Sequence, residues 1–339
     1  MRTCRFPLFV SLLLIFIMSL LTACGGIADR KPSQIDYVKN KAALNKTAGN
    51  TKYVTHELFL SDASGLLVPQ SVGLPENKTP LKQVLSYLVD DGPVSNILPN
   101  GFQATLPPGT EVRGVHLDAT GNLTADFSKE LLDASSDSRD QIVQSIVWTA
   151  TQFDTVKTVT LSVNGQKLTE WPKTGEEIGT DLTRASGINQ TFDQVTDVAA
   201  SQPVNIYYLY VEKGKAYNVP VTIRVANQGN QLETMVNALI HEPEGSEFIS
   251  ALNPEAELVT TPYVKNGVAY LHFNSALYED KASHTLSDQA LRSLVLTLTG
   301  QDGINKVAIK VDHATKMTLE SGKTITGPVS RMMVSATGL

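Results

Sequence analysis

Cysteine is almost missing from this chain. Two occur in 339 residues, Cys4 and Cys24, both near the N-terminus. With both consumed there, as argued below, no thiol remains for a disulfide, a Cys-ligated metal or a Cys nucleophile. An exported chain without disulfides must be stabilised by its core. Positive charge is also short: 28 Lys and Arg stand against 34 Asp and Glu, for a net −6. With no run of Lys and Arg, nucleic acid is excluded as a partner. The six histidines, His56, His116, His241, His272, His284 and His313, form no HExxH and no i, i+4 pair, so a metal site of that kind is excluded. There is no GxSxG elbow and no SxxK. Gly322-Lys323-Thr324 looks like the end of a P-loop, but the upstream glycine position is Met317.

What is present starts at the N-terminus. Arg2 and Arg5 precede an apolar stretch of 15 residues, Phe6–Leu20, too short for a comfortable membrane span. No later apolar stretch is long enough to span a bilayer. Leu21-Thr22-Ala23-Cys24-Gly25-Gly26 follows. Small residues before a cysteine in this place resemble the lipobox of a bacterial lipoprotein. The resemblance implies cleavage after Ala23 and diacylglycerol on the Cys24 sulfur; the plainer alternative is an ordinary signal peptide with a chance cysteine. Two acyl chains hold a protein stably on a membrane, where one is marginal. Residues 1–23 therefore read as a lipoprotein signal peptide, and 24–51 as the lipidated cysteine with a flexible polar tether. Loss of 1–23 takes Arg2 and Arg5 with it, leaving 316 residues and a charge of −8. That length suits two domains.

The two domains are copies of one another. Residues 145–164 read SIVWTATQFDTVKTVTLSVN and residues 293–312 read SLVLTLTGQDGINKVAIKVD; seven of the twenty positions agree without a gap. LTADFSKEL (123–131) against AYLHFNSAL (269–277), LKQVLSYLV (81–89) against LETMVNALI (232–240), and GLLVP (65–69) against KAYNVP (215–220) follow in the same order. Four matches in one order mark a tandem duplication. The chain then divides into a first domain at 52–171, a linker at 172–202 with one short ordered piece, a second domain at 203–319, and a loosely packed tail at 320–339 in which Val329 and Met332–Val334 could add an edge strand.

Each copy shows the same order of elements. His56–Leu60 and Asn205–Val211 read as first strands, Leu66–Val72 and Tyr217–Val225 as second strands. Pro80–Val89 and Gln231–Ile240 carry the i, i+3, i+4, i+7 spacing of an amphipathic helix, with Thr79 placed as N-cap before Pro80. Glu111–Leu117 and Leu258–Val264 read as third strands, Leu123–Phe127 and Val268–Phe273 as fourth, the latter entered through an Asn266-Gly267 hairpin turn. Second helices over 138–152 and 286–300 lead to fifth strands Val156–Val163 and Lys306–Val311. The fold class is α+β, a β-β-α-β-β-α-β unit repeated twice. The expected picture is a mainly antiparallel sheet with two helices on one face, the stripes Ile142, Ile146, Thr149 and Ala290, Leu294, Thr297 lying on it.

Few residues invite chemistry. Asp126 and Glu130 could be paired carboxylates, but their counterparts are His272 and Ala276, and a solvated surface fits better. Asp312-His313 aligns with Asn164-Gly165, so a shared catalytic role is not expected. Tyr207, Tyr208 and Tyr210 could stack a ligand; strand alternation divides them between a core face and an exposed face. No catalytic, cofactor or metal residue is assigned, and Cys24 is the one modification site.

LKQVLSYLVDDGP (81–93), ILPNGF (97–102), LPPGTEVRGVHLDATGNLTADFSKEL (106–131) and 145–166 together resemble the GerMN domain family of sporulation and spore-germination lipoproteins. The second copy matches through GNQLETMVNALIHEPEG (229–245), NGVAYLHFNSAL (266–277) and LSDQALRSLVLTLTGQDGINKVAIKVDH (286–313). The resemblance implies a fold similar to ring-building modules of secretion systems. It implies a lipid anchor on the extracytoplasmic face of the cell membrane, which in sporulation is the mother-cell-derived membrane facing the forespore intermembrane space. It also implies a non-enzymatic assembly role with envelope or channel proteins, in a ring-like oligomer. It supplies no catalytic residue. The second copy departs from the pattern where Pro-Pro-Gly-Thr (107–110) becomes Asn-Pro-Glu-Ala (253–256). A cell-wall (peptidoglycan) acting enzyme and a solute-binding lipoprotein remain as alternatives.

Overall fold

The computed structural model describes residues 52–335 apart from 100, 191–198, 213, 228, 244 and 315. The signal peptide 1–23, Cys24 and the tether 24–51 lie outside the described residues. In the first copy the chain forms β1 (Tyr53–Asp62), β2 (Leu67–Pro75), α1 (Pro80–Ser86), β3 (Val112–Leu117), β4 (Asn122–Phe127), α2 (Arg139–Ala150), β5 (Thr158–Val163), β6 (Glu170–Trp171) and β7 (Glu176–Glu177). In the second it forms β8 (Ser201–Glu212), β9 (Lys215–Ala226), α3 (Gln231–Ile240), β10 (Tyr263–Lys265), β11 (Val268–Phe273), α4 (Asp288–Leu298), β12 (Lys306–Val311), β13 (Met317–Leu319), β14 (Thr324–Ile325), β15 (Val329–Ser330) and α5 (Arg331–Val334). The α+β order read from the sequence holds in both copies.

Each copy divides most of its strands between two sheets, with a small third sheet beside them. β1 and β2 pair antiparallel over their length, as do β8 and β9. A second sheet runs β3-β4-β5 and then the short strand Gln166–Lys167 in the first copy, and β10-β11-β12-β15 in the second. β4 and β5 are parallel, and so are β11 and β12; the second helix of each copy makes the crossover that parallel strands need. That helix packs on both the long hairpin and the second sheet. Its stripe is fully covered: Ile142, Ile146, Thr149, Leu294 and Thr297 are all at most 1% exposed.

The helix also explains why the hairpin stays separate. Side chains of α2 occupy the edge of β1 ahead of Ser61–Asp62, where the edge pairs with Phe102–Gln103. The Phe59 N–H donates to Thr149 Oγ1 (3.1 Å), and Ser145 Oγ donates to the Phe59 carbonyl (2.7 Å). The Gln152 amide, just past the helix, accepts from the Glu57 N–H (2.9 Å) and donates to its carbonyl (2.7 Å). The duplicated Thr297 does the same for the Tyr207 N–H (2.9 Å). Buried main-chain groups must find partners, and here hydroxyls take the place of a neighbouring strand. Thr149→Val keeps the shape and removes the acceptor. An orphaned buried N–H costs about 1–3 kcal/mol, so urea unfolding followed by circular dichroism should show a loss of that order. A change within about 0.5 kcal/mol, as for an ordinary surface substitution, would show that Thr149 does not close this edge.

Two local expectations need correction. Thr79 does not cap α1: its hydroxyl donates to Asn77 Oδ1 (3.1 Å) instead. Asn230 does cap α3, accepting from the Glu233 N–H (3.1 Å). The third strand of the second copy is broken. Leu258 makes an isolated bridge to Phe273, and pairing resumes only at Tyr263, because Pro262 brings no N–H to the ladder. The Asn266-Gly267 turn forms as expected, with φ of 52° and 74°, the two positive values a type I′ turn requires.

The stretches expected as linker and tail are packed parts of the copies. Leu182 and Ile188 are buried in the first copy, and Ile325, Val329 and Val334 in the second. Val329 does pair with the β12 edge, at Val307, but 331–334 is a single helical turn. Leu182 bridges Val159 in the same antiparallel sense, so the correspondence between the copies continues through these ends.

Candidate functional site

Residues 52–335 form one compact unit, and the most elaborate chemistry lies where the two copies meet. Asn189 stitches the two long hairpins together. Its side chain exchanges both hydrogen bonds with the Leu67 main chain of β2 (2.9 and 2.8 Å) and donates to the Pro220 carbonyl of β9 (2.9 Å). Its own N–H donates to Gln144 Oε1 of α2 (3.2 Å). Asn189 stands at φ 45°, a conformation asparagine tolerates better than most residues. Ile188 beside it exchanges main-chain and hydroxyl hydrogen bonds with Thr222 of β9 (2.8 and 2.9 Å).

Two arginines at equivalent places meet at this seam. Arg184 donates to the Trp148 carbonyl (3.3 Å) and Thr151 Oγ1 (2.9 Å), and its guanidinium lies 4.7 Å from the Trp148 ring centre. Arg331, 147 residues later, donates to the Leu296 carbonyl (3.2 Å) and to Tyr207 Oη (2.7 Å), and covers the Tyr207 ring at 5.3 Å. Trp148 and Leu296 are themselves equivalent. Arg331 also crosses to the first copy, 3.6 Å from Glu57 Oε2. Burial, then the charge of Arg331, pull the Arg184 guanidinium below its ordinary pKa. For Arg331 burial acts the same way but is outweighed by Tyr207 and Glu57, so its pKa lies above the ordinary value. The sequence carried a faint signal of this pair: Gly175/Gly322, Ile178/Ile325 and Arg184/Arg331 share one offset.

A third contact joins the hairpin ends. Tyr217 Oη lies 3.2 Å from Asp62 Oδ2 and 3.1 Å from Glu212 Oε2, and its ring tilts on Phe102 at 5.7 Å. Burial, then the charge of Asp62, hold the Tyr217 phenol well above its ordinary value. The unfolded chain loses this proton near pH 10, while the folded chain keeps it. The folded state then binds more protons, so its stability is complete below about pH 10 and falls as pH rises further. Tyr217→Phe should flatten this alkaline loss in urea unfolding measured on either side of that pH. An unchanged slope would assign the loss to Tyr87 and Tyr278, whose phenols burial also raises.

The residues singled out from sequence are scattered rather than gathered. Asp126 Oδ1 accepts from Ser162 Oγ (2.7 Å) and the Gly165 N–H (2.8 Å), holding a turn. Glu130 is half-buried, and its carboxyl is held low mainly by the Ser128 hydroxyl. The three tyrosines do not alternate between core and solvent: Tyr207, Tyr208 and Tyr210 are 1%, 0% and 7% exposed. Both faces of β8 are covered. Tyr208 Oη donates to the Ala238 carbonyl of α3 (2.6 Å), while Tyr207 faces Arg331. His56 is buried against Phe153, and burial lowers its pKa. His272 Nε2 meets the Asp312 carbonyl at 2.7 Å, and His116 and His313 are exposed. Among the described residues no group of three His, Cys, Asp or Glu side chains could hold a metal ion.

This doubled architecture has known counterparts. The profile of the family described as "Germane: Sporulation and spore germination" matches residues 57–169 and 205–316. The chain belongs to the Germane family. The spore germination protein GerM of Bacillus subtilis (strain 168) is 35% identical over 347 residues, covering 94% of each chain. The solved tandem GerMN domains of the sporulation protein GerM from Bacillus subtilis superpose with a TM-score of 0.76 at 38% identity, covering 82% of this chain and 98% of that one. The resemblance read from sequence motifs is thus confirmed, and both matched segments are Germane domains. Membership places the protein in sporulation and germination. Among the described residues of this Germane protein, no helix is long and apolar enough to cross a membrane.

Proposed function

We propose that the protein is a non-enzymatic assembly module of the envelope around the forespore. Diacylglycerol on Cys24 anchors it on the extracytoplasmic face, at the mother-cell-derived membrane, and it engages envelope or channel proteins of the sporulating cell. The observation that carries this reading is the seam. It fixes the two copies in one compact unit whose sheets each end, among the described residues, in a strand with an unpaired edge, β3 and β10. Unpaired strand edges are templates for pairing with another chain. The second edge carries exposed apolar side chains at Val259, Tyr263 and Val264. Two different edges on one body also suit head-to-tail association, which closes into a ring when the rotation permits.

The test is localisation of a tagged copy during sporulation, with cross-linking and pull-down from the same cells. Wild type should co-purify with envelope proteins and sediment with membranes, and Cys24→Ala should move to the soluble fraction. Recovery of no envelope or channel protein would overturn the assembly role. Retention of Cys24→Ala on membranes would overturn the anchor. Turnover of muropeptides by purified protein would overturn the non-enzymatic reading.

A further inference from the structure

A cleft of about 500 Å³ opens at the seam, lined from both copies by Ser64, Gln141, Gln144, Tyr210 and Glu247 among others. Its size falls within the range of small-ligand sites. We infer that this cleft binds a neutral carbohydrate. The inference is independent of the assembly role, because the cleft lies apart from both sheet edges.

Among the described residues the lining side chains are carboxamides, hydroxyls, aromatic rings, the aliphatic Leu66 and one carboxylate, with no cation. That composition leaves nothing to neutralise a phosphate, a carboxylate or an anionic sugar. It offers what sugar hydroxyls require, which is donors and acceptors side by side. Gln141 and Gln144 stand one helical turn apart on α2, on one face. Gln141 donates through Nε2 to the Gly65 carbonyl, which leaves its Oε1 as an acceptor. Gln144 accepts through Oε1 from the Asn189 N–H, which leaves its Nε2 as a donor. A hydroxyl can serve both at once. Across the cleft the exposed Glu247 carboxylate accepts from Tyr210 Oη through Oε2 (3.5 Å), which leaves Oε1 to accept from a ligand hydroxyl. Tyr210 and Ser64 form the floor, joined by a hydrogen bond of 2.8 Å between the copies.

The main chain of the cleft argues against an extended peptide. Peptide addition to a strand uses a row of unpaired main-chain groups. Here the Ser64 and Leu66 N–H groups donate to Asp62 Oδ1 (both 2.9 Å), Gly65 O accepts from Gln141, and the Leu67 N–H and carbonyl are both taken by Asn189. On this wall of the cleft mainly side-chain groups are left for a ligand, as in recognition of a small polyhydroxylated molecule.

Isothermal titration of the purified full-length protein in detergent tests this. The probes are cellotriose, tri-N-acetylchitotriose and, as the charged control, a heparin trisaccharide. Saturable binding of at least one neutral trisaccharide is expected, with none of the heparin fragment. Gln144→Glu keeps the acceptor for the Asn189 N–H and deletes the free donor, and Glu247→Gln lies on an exposed loop. Each should weaken binding by about tenfold, as loss of one good hydrogen bond does, without moving the unfolding midpoint. No saturable heat from either neutral probe up to about 10 mM, weaker than any affinity of use, would overturn the inference. So would undiminished binding by both variants, or equal binding of the heparin fragment.

Discussion

Trp148→Ala should lower stability by about 3–5 kcal/mol, the usual cost of deleting a large core ring. Trp148 is 1% exposed and packs on Phe59 of β1 with ring centres 5.3 Å apart at 59°. Its Nε1 donates to the Gly187 carbonyl (3.2 Å), and the Arg184 guanidinium lies over its ring. One side chain thus joins the second helix, the long hairpin and the segment that carries Arg184, Ile188 and Asn189 to the other copy. For a chain of this size each kcal/mol is worth about 2–4 °C, so the thermal midpoint should fall by about 10 °C. Trp148→Phe keeps a ring for Phe59 and loses the N–H donor, and should fall between the two. A midpoint for the alanine variant within about 2 °C of wild type would show that the seam segment is held without the indole. The equivalent Leu296 makes no such bridge, so Leu296→Ala should loosen the second copy without weakening the stitch at Asn189.

Arg331→Ala is the second large effect. Arg331 is the residue through which the C-terminal turn grips both copies. Its side chain and that of Glu57 are 23% and 18% exposed, so the pair is mostly desolvated. Removing one partner of a buried pair leaves the other charge uncompensated and costs about 3–5 kcal/mol; partial exposure reduces that to about 2–3 kcal/mol. The seam would keep Glu57 with Arg184 as its nearest cation. Arg331→Lys should not restore stability, since a single ammonium cannot reach the Leu296 carbonyl, Tyr207 Oη and Glu57 while covering a ring. A double-mutant cycle with Glu57→Gln isolates the contact between copies and should return a coupling of about 1 kcal/mol. Zero coupling would mean that Arg331 stabilises only its own copy.

Both predictions concern residues that sequence reading passed over. Thr149 sat in a helix stripe recognised only as apolar packing, Trp148 lay beside that stripe and was not singled out, and Arg331 lay in a tail expected to be loose. The helix stripe itself was legible because a 3.6-residue period records which face is buried. What that period does not record is which main-chain groups the small polar members of the stripe will meet. Ser145 and Thr149 satisfy an edge nearly ninety residues away, and no local pattern announces such a contact. The tyrosines failed for a related reason. Alternation predicts one wet face when a strand is covered on one side only, and β8 is covered by α3 on one face and by the Arg331 seam on the other. The cleft was not legible at all, because it exists only once the turn at Ser64 is brought against the loop at Glu247.

The sequence by itself determined the duplication, the order of elements, the Asn266-Gly267 turn, the absence of a thiol after Cys24 and the family. These are local or periodic properties, and a repeat states each of them twice. The tertiary structure alone decided that 172–190 and 320–334 belong to the copies, that hydroxyls of the second helix stand in for a strand, and that the copies close on one another through Asn189, Arg331 and Tyr217. Those contacts join residues far apart in the chain. Each depends on a polar group finding a buried partner, and that partner is fixed by packing rather than by any neighbour in sequence.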